Sequence, residues 1–301
     1  FATLRLENVE ISNCVVTGAA NGGGALFNGR GVNVIADKCL FANNSSDESA
    51  SGSSKGGGAI GTTGSGGSFL FTNCTFYGNS AALGRGGAIY TGMDCKVINC
   101  TFTGNRAFNG GGFYGHNAGK MYTLINTICY NNIDENETGD IRRNNGDFTI
   151  YNCLATVVSP ALAENFDSNG NILTTPAMKV FENDAAPELK DNGGNTLTVA
   201  LHATQSMAAK AGIATAPAGI DVTIPTVDQR GYTRAAKPCM GAFELGGIEP
   251  VGIQTATADA KFNYSVEKGR LVIAESGECR IFNMLGAKIT ELTINGSAPI
   301  N

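Results

Sequence analysis

The chain has 301 residues, of which 42% are hydrophobic and 16% charged, and 26 acidic against 21 basic residues leave a formal net charge of −5. That much apolar material excludes wholesale disorder, the missing basic stripe argues against nucleic acid as a partner, and no apolar run reaches the ~18 residues of a membrane-spanning helix. Gly, at 41 residues, is about twice its usual ~7% share, without the strict three-residue period of collagen.

The first residues, Phe1-Ala2-Thr3-Leu4-Arg5-Leu6, already read as a strand. There is no starting Met and no basic, then apolar, leader behind it, so trimming at both ends is expected. A self-similar unit then recurs. Asn73-Cys74-Thr75-Phe76-Tyr77-Gly78-Asn79 is matched by Asn99-Cys100-Thr101-Phe102-Thr103-Gly104-Asn105. Looser copies start at Lys38-Cys39 and Asn126-Thr127, and Asn13-Cys14 and Asn152-Cys153 mark two more. A second motif follows the first copies: Gly23-Gly24-Ala25-Leu26, Gly57-Gly58-Ala59-Ile60, Gly86-Gly87-Ala88-Ile89 and the divergent Gly111-Gly112-Phe113-Tyr114.

Between these landmarks lie short alternating runs such as Val32-Asn33-Val34-Ile35, Ser68-Phe69-Leu70-Phe71 and Cys95-Lys96-Val97-Ile98. They are too short for helices and read as strands. Three strands and three turns fill one repeat, which is one coil of a parallel β-helix. About six coils fit in residues 1–158, a rod of roughly 29 Å at ~4.8 Å per coil. Cys74 and Phe76 are expected inside, and Thr75 and Thr101 outside in solvent. Asn73 and Asn99 fall at a bend, where stacked amides are expected to form a ladder. Gly86 and Gly87 are expected at a bend needing positive φ or close backbone approach. The polar stretches 47–56 and 133–140 lengthen two coils and read as protruding loops. The nine cysteines show no CxxC pair and only two histidines beside them, so no zinc site is expected. Their regular recurrence reads as a small buried hydrophobe at one repeat position.

The Phe-x-x-Asn tetrads Phe41 to Asn44, Phe76 to Asn79 and Phe102 to Asn105, with the Gly-Gly-Ala-Ile motif, resemble the repeats of chlamydial polymorphic outer-membrane proteins and related bacterial right-handed β-helix proteins. The stretches Asp191-Asn192-Gly193-Gly194-Asn195-Thr196-Leu197-Thr198 and Thr226-Val227-Asp228-Gln229-Arg230-Gly231-Tyr232-Thr233-Arg234, with Cys239-Met240-Gly241-Ala242-Phe243-Glu244, are similar to the closing segment of choice-of-anchor β-helix proteins of bacterial surfaces. Gly269-Arg270-Leu271-Val272-Ile273 and the run from Cys279 to Ile289 resemble the C-terminal sorting domain of Bacteroidetes secreted proteins, without its final strands. The resemblance implies an all-β chain with a right-handed parallel β-helix (a solenoid) over 1–245, then a short linker and a small β-sandwich-like tail over 246–301. It also implies a secreted or cell-surface location.

Many β-helices are polysaccharide lyases or glycoside hydrolases. A lyase needs a base and charge neutralisation of a uronate, often by Ca²⁺, and a hydrolase needs two carboxylates ~5–9.5 Å apart. No such set repeats in register here: Asp37, Asp94 and Lys96 lie near strands without recurring. His116, Asp140 and Arg142 are the candidates for an enzymatic alternative, their plainer readings being an exposed turn and a solvated loop. Asp228, Arg230, Arg234 and Glu244 read as a salt-bridged cap. Trp is absent, which removes the strongest sugar-stacking platform, and Tyr77, Tyr90, Tyr114 and Tyr122 are weak substitutes. The reading is a non-catalytic, adhesin-like monomer, with no cofactor and no metal, that binds a polysaccharide or a host surface protein.

Overall fold

The computed structural model describes residues 2–17, 22–29, 31–47, 56–62, 64, 66–137 and 139–250, and five strands beyond them. It divides into two compact units, Phe1–Ile248 and Glu249–Asn301. The first unit is a parallel β-helix, its connections following the right-handed sense that parallel crossovers take.

Each of the first five coils contributes four strands, one to each of four parallel sheets, where the sequence predicts three, and the sixth coil adds strands to sheets A and B only. Sheet A stacks Thr3–Glu7, Asn33–Asp37, Ser68–Thr72, Asp94–Ile98, Met121–Ile125 and Asp147–Tyr151. Sheet B stacks Glu10–Ser12, Leu40–Ala42, Thr75–Tyr77, Thr101–Thr103, Ile128–Cys129, Leu154–Ala155 and Ile172–Leu173. Sheet C runs from Val15–Thr17 through Ser45–Asp47, Ser80–Arg85 and Arg106–Asn109 to Ile133–Asp134. Sheet D runs from Leu26–Asn28 through Ile60–Thr62, Ile89–Thr91 and Phe113–Gly115 to Ile141–Arg143. The extra strand arises because the Gly-Gly pair turns the chain sharply. At Gly86, φ is +68° and a Cβ would lie 2.1 Å from the Ile89 carbonyl; at Gly87 it would lie 2.1 Å from the Gly111 carbonyl of the next coil. Only glycine fits there, so Ser80–Arg85 and Ile89–Thr91 become separate strands. Most of the stretch 47–56 lies outside the described residues, whereas 133–140 keeps a short strand, Ile133–Asp134, before its turn.

Stacking in register places like on like. Phe41, Phe76 and Phe102 pair across neighbouring coils, with ring centroids 4.9 and 4.6 Å apart and near-parallel planes. Each such pair adds roughly 0.5–1.5 kcal/mol beyond burial. Cys39, Cys74, Cys100 and Cys153 occupy one inward corner, buried and unbridged, as the recurrence predicted. Burial pushes the thiols of Cys74 and Cys153 up, Cys153 to about 12.

The amide ladder is present but at a different corner. Asn73 and Asn99 carry φ of +49° and +53°: they serve the bend with their backbones, and the Asn99 amide is buried with no partner. The stacked column is Asn44, Asn79, Asn105 and Asn132. Asn79 Oδ1 accepts from the Asn44 backbone N–H at 3.0 Å and from Asn44 Nδ2 at 3.0 Å. Asn105 Oδ1 does the same for Asn79 at 3.0 and 2.9 Å, and Asn132 Oδ1 for Asn105 at 3.1 and 2.8 Å. Each Nδ2 also donates to a carbonyl of the preceding coil, Asn79 to Phe41 and Asn105 to Phe76, both at 2.9 Å.

Thr75 and Thr101 do not face solvent, being 0% and 2% exposed. The segment from 172 to 248 lies over the outer face of sheet B and buries a second apolar cluster of Ile128, Leu154, Phe181, Leu201, Met240 and Phe243. Thr75 Oγ1 donates to Gln229 Oε1 at 2.6 Å, and Thr101 Oγ1 accepts from the Ala242 N–H at 2.9 Å. Leu162 and Phe166, from the short helical turns Pro160–Leu162 and Ala163–Phe166, join the inner core instead. The closing segment is therefore a flank cover. Its Asp228–Arg230 pair (2.7 Å) and Arg234–Glu244 pair (3.2 Å) are buried, and Arg234 Nη2 also donates to Asn73 Oδ1 at 3.0 Å. In the second unit, Tyr264–Glu267 pairs antiparallel with Arg270–Ile273, which pairs with Ala298–Ile300, and Gly277–Phe282 pairs antiparallel with Lys288–Ile294.

Two substitutions separate ladder from filler. Asn79→Ala strands the Asn44 N–H and the Phe41 carbonyl and is expected to cost about 3 kcal/mol in denaturant unfolding. Thr103→Val removes a buried hydroxyl that has no partner and is expected to be neutral or stabilising by up to about 1 kcal/mol.

Candidate functional site

Sheet A turns three columns of side chains outward. Asp37, Thr72, Ile98 and Ile125 stack in one, and Ile35, Leu70, Lys96 and Thr123 in the next. Residues 213–224 of the cover pack on part of this face, joining Ile98 and Ile125 to Ile224, with Leu70, Ile213, Ile220 and Val222 alongside. Where that packing ends, the extended stretch 221–227 and the sheet enclose a cleft of 560 Å³. Leu70 and Ile98 form its floor, and Thr72, Thr223 and Thr226 bring hydroxyls to it.

The charges in the cleft are balanced. Lys96 Nζ donates to the Asp221 carbonyl at 2.6 Å and lies 3.8 Å from its carboxylate. Lys38 Nζ lies 3.3 Å from Asp37 Oδ2 and 3.4 Å from Glu7 Oε1. Burial pulls the Lys38 pKa down, but the Asp37 and Glu7 carboxylates outweigh it and hold the ammonium above its ordinary value. Asp37 is fixed in turn by donation from Thr72 Oγ1 at 2.7 Å and Asn73 Nδ2 at 3.2 Å. Such a lining offers donors and acceptors with no net charge, over an apolar floor. That is the chemistry of a hydroxyl-rich ligand with an apolar face.

The sequence candidates go elsewhere. His116 and Arg142 lie on the outer face of sheet D. Arg142 is in register with Tyr114, and the His116 ring centroid is 5.4 Å from that of Tyr90. Asp140 does not join them. It is 3% exposed, and its carboxylate accepts from the Thr156 N–H at 2.9 Å and the Val157 N–H at 3.4 Å, in the next coil. No hydrogen bond or ion pair links it to His116 or Arg142, so no acid–base pair is assembled from these three. The tyrosines are not stacking platforms. Tyr122 is core, Tyr90 and Tyr114 are 4% and 2% exposed, and Tyr77 spends its hydroxyl on the Pro187 carbonyl at 2.9 Å. Asp94 pairs with Lys120 at 3.1 Å.

With this geometry in view, the Chlamydia polymorphic membrane protein repeat matches residues 73–92. The matched stretch begins at the bend residue Asn73 and runs through Thr75–Tyr77, Ser80–Arg85 and Ile89–Thr91, the sheet B, C and D strands of one coil. No curated protein and no solved structure matches the chain. Among the described residues, no helix is long and apolar enough to cross a membrane.

Asp140 has a measurable signature. Burial pushes its carboxyl up from an ordinary 3.8 to about 7, against the hydrogen bonds from Thr156 and Val157 that pull it down. The folded chain therefore holds a proton that the unfolded chain releases above about pH 4. This contribution to stability is full below pH 4, falls as pH rises to about 7 and is flat above it. At 1.36 kcal/mol per pH unit the loss is at most about 4 kcal/mol. Asp140→Asn is expected to flatten that slope in unfolding measured at pH 4, 5.5, 7 and 8.

Proposed function

We propose that this is a secreted or cell-surface β-helix protein, adhesin-like and non-catalytic, that binds a glycan in the sheet A cleft. The match of one coil to a polymorphic membrane protein repeat supports the surface location. The observation that carries the binding assignment is the composition of the cleft: paired charges and threonine hydroxyls over Leu70 and Ile98, in a wall fixed by the buried flank cover. A neutral or weakly charged sugar satisfies such a lining without leaving any of its ions unpaired. Residues 246–301 serve as a short linker and a partial sorting-like β domain in this reading, on the strength of the Gly269 to Ile273 and Cys279 to Ile289 stretches.

Thr223→Trp fills the cleft from an exposed position, and Lys96→Met removes the donor that spans it. Native gels cast with neutral polysaccharides are expected to retard the wild-type chain in at least one polymer, and neutral and acidic polymers alike are expected to stay uncut. Both variants are expected to lose most of that retardation while keeping the wild-type unfolding midpoint within ~1 kcal/mol. New reducing ends or unsaturated uronate would overturn the non-catalytic reading, and equal retardation of all three proteins would overturn the cleft.

A further inference from the structure

The outer face of sheet D, distinct from the cleft, carries a cluster of cationic and aromatic groups. Tyr90, Tyr114 and Arg142 stack in register on successive coils. His116, two residues beyond Tyr114, turns to the same face, its ring centroid 6.4 Å from that of Tyr114. The Arg85 guanidinium lies 5.4 Å from the Tyr114 ring centroid. Arg85, His116 and Arg142 are half-buried.

No carboxylate of the described residues pairs with Arg85 or Arg142. Elsewhere Arg106 faces Glu135, Arg143 faces Asp147, Arg230 faces Asp228 and Arg234 faces Glu244. Arg142 Nε is moreover buried with no hydrogen-bond partner. A guanidinium N–H left unpaired in a buried place costs roughly 1–3 kcal/mol or more. Burial and the Arg85 charge together hold His116 below its ordinary value. The cation–π contact with Tyr114 fixes the Arg85 fork in place.

We infer that this face of sheet D is an oxyanion-binding site, with Arg85 and Arg142 as its two forks, and that it takes the carboxylate or sulfate group of an acidic sugar. An oxyanion held by the two guanidiniums gives both cations the counter-charge that the described residues do not supply and fits the bidentate geometry that guanidinium favours. The assignment stands on these residues and not on the cleft: a chain that failed to bind neutral polymer would still be expected to bind an acidic one here.

The chain has only two histidines, so the ring resonances of His116 can be followed by NMR with His202 as internal reference. The probes are sodium sulfate, an oligogalacturonate, a sulfated dextran oligomer and neutral dextran, each added to the whole chain. Sulfate and at least one acidic oligomer are expected to raise the titration midpoint of His116, to leave His202 in place and to lose effect with added salt; neutral dextran is expected to do nothing. Arg85→Gln and Arg142→Gln are each expected to weaken binding about tenfold or more, with unfolding midpoints confirming that both fold. Arg106→Gln, which removes one charge on sheet C, is expected to bind as wild type. No movement of His116 with any anion, or equal affinity in the Arg85 and Arg142 variants, would overturn the site. A response to free sulfate with none to either acidic oligomer would overturn the sugar as its ligand.

Discussion

The fold depends on one constraint: each coil must sit in register on the next, because the column of the buried Asn44, Asn79 and Asn105 and the half-buried Asn132 is self-satisfying only in that register. The amide oxygens of Asn79, Asn105 and Asn132 each take two hydrogen bonds from the coil before, that of Asn44 takes one from the Cys14 N–H, and each amide nitrogen reaches back to a carbonyl of the preceding coil. A slip of one residue would leave several buried polar groups unpaired, each at a cost of roughly 1–3 kcal/mol. The phenylalanine stack and the cysteine corner follow, since register places identical positions over one another. Small buried thiols suit the tight inward corner between the sheet A and sheet B strands.

The same stacking creates the need for the flank cover. Sheet B carries apolar residues on both faces: Phe41 and Phe102 inward, Leu40, Ile128 and Leu154 outward. A parallel sheet of that kind is stable only when both faces are buried. Residues 172–248 meet the need, and their two buried ion pairs satisfy the polar groups that the covering loops bring with them. This sets where ligands can go. Sheet B is sealed, sheet A is partly roofed and keeps a cleft at the edge of the roof, and sheet D keeps its outer face with an unpaired cationic cluster. The regular scaffold supplies rigidity, and the irregular segments and the non-repeating outward residues supply chemistry.

Much of this was legible in the sequence. The period, the inward Phe76, Phe102, Cys74 and Cys100, and the special backbone at Gly86 and Gly87 all follow from residue spacing and elementary sterics. The ladder's place is ambiguous in the sequence because both Asn73 and Asn79 recur in the repeat. One signal distinguishes them: Lys38 occupies the Asn73 position in the preceding coil, where only a left-handed backbone is required, whereas the Asn79 position is Asn in four successive coils. The burial of Thr75 is hidden from the local pattern, which cannot show a cover that arrives more than 100 residues later. The apolar outward residues Leu40, Ile128 and Leu154 carried that information. The cleft was not legible, since it joins Lys38 and Lys96 to 221–227 across the whole chain. The sheet D cluster is half legible: His116, Arg142, Tyr90 and Tyr114 stand out one by one in the sequence, but Arg85 and the shared face emerge only once the four-stranded coil fixes the register.

The central claim is that cover and helix are one cooperative structure, and native-state hydrogen exchange tests it most directly. The Gly241 N–H donates to the Asn126 carbonyl and the Ala242 N–H to Thr101 Oγ1, while the Thr101 and Asn79 N–H groups lie in the coils themselves. The account predicts that all four amides exchange only through global unfolding, with the same opening free energy and the same denaturant dependence. Exchange of Gly241 and Ala242 through a smaller, separate opening, with Thr101 and Asn79 still protected, would contradict it.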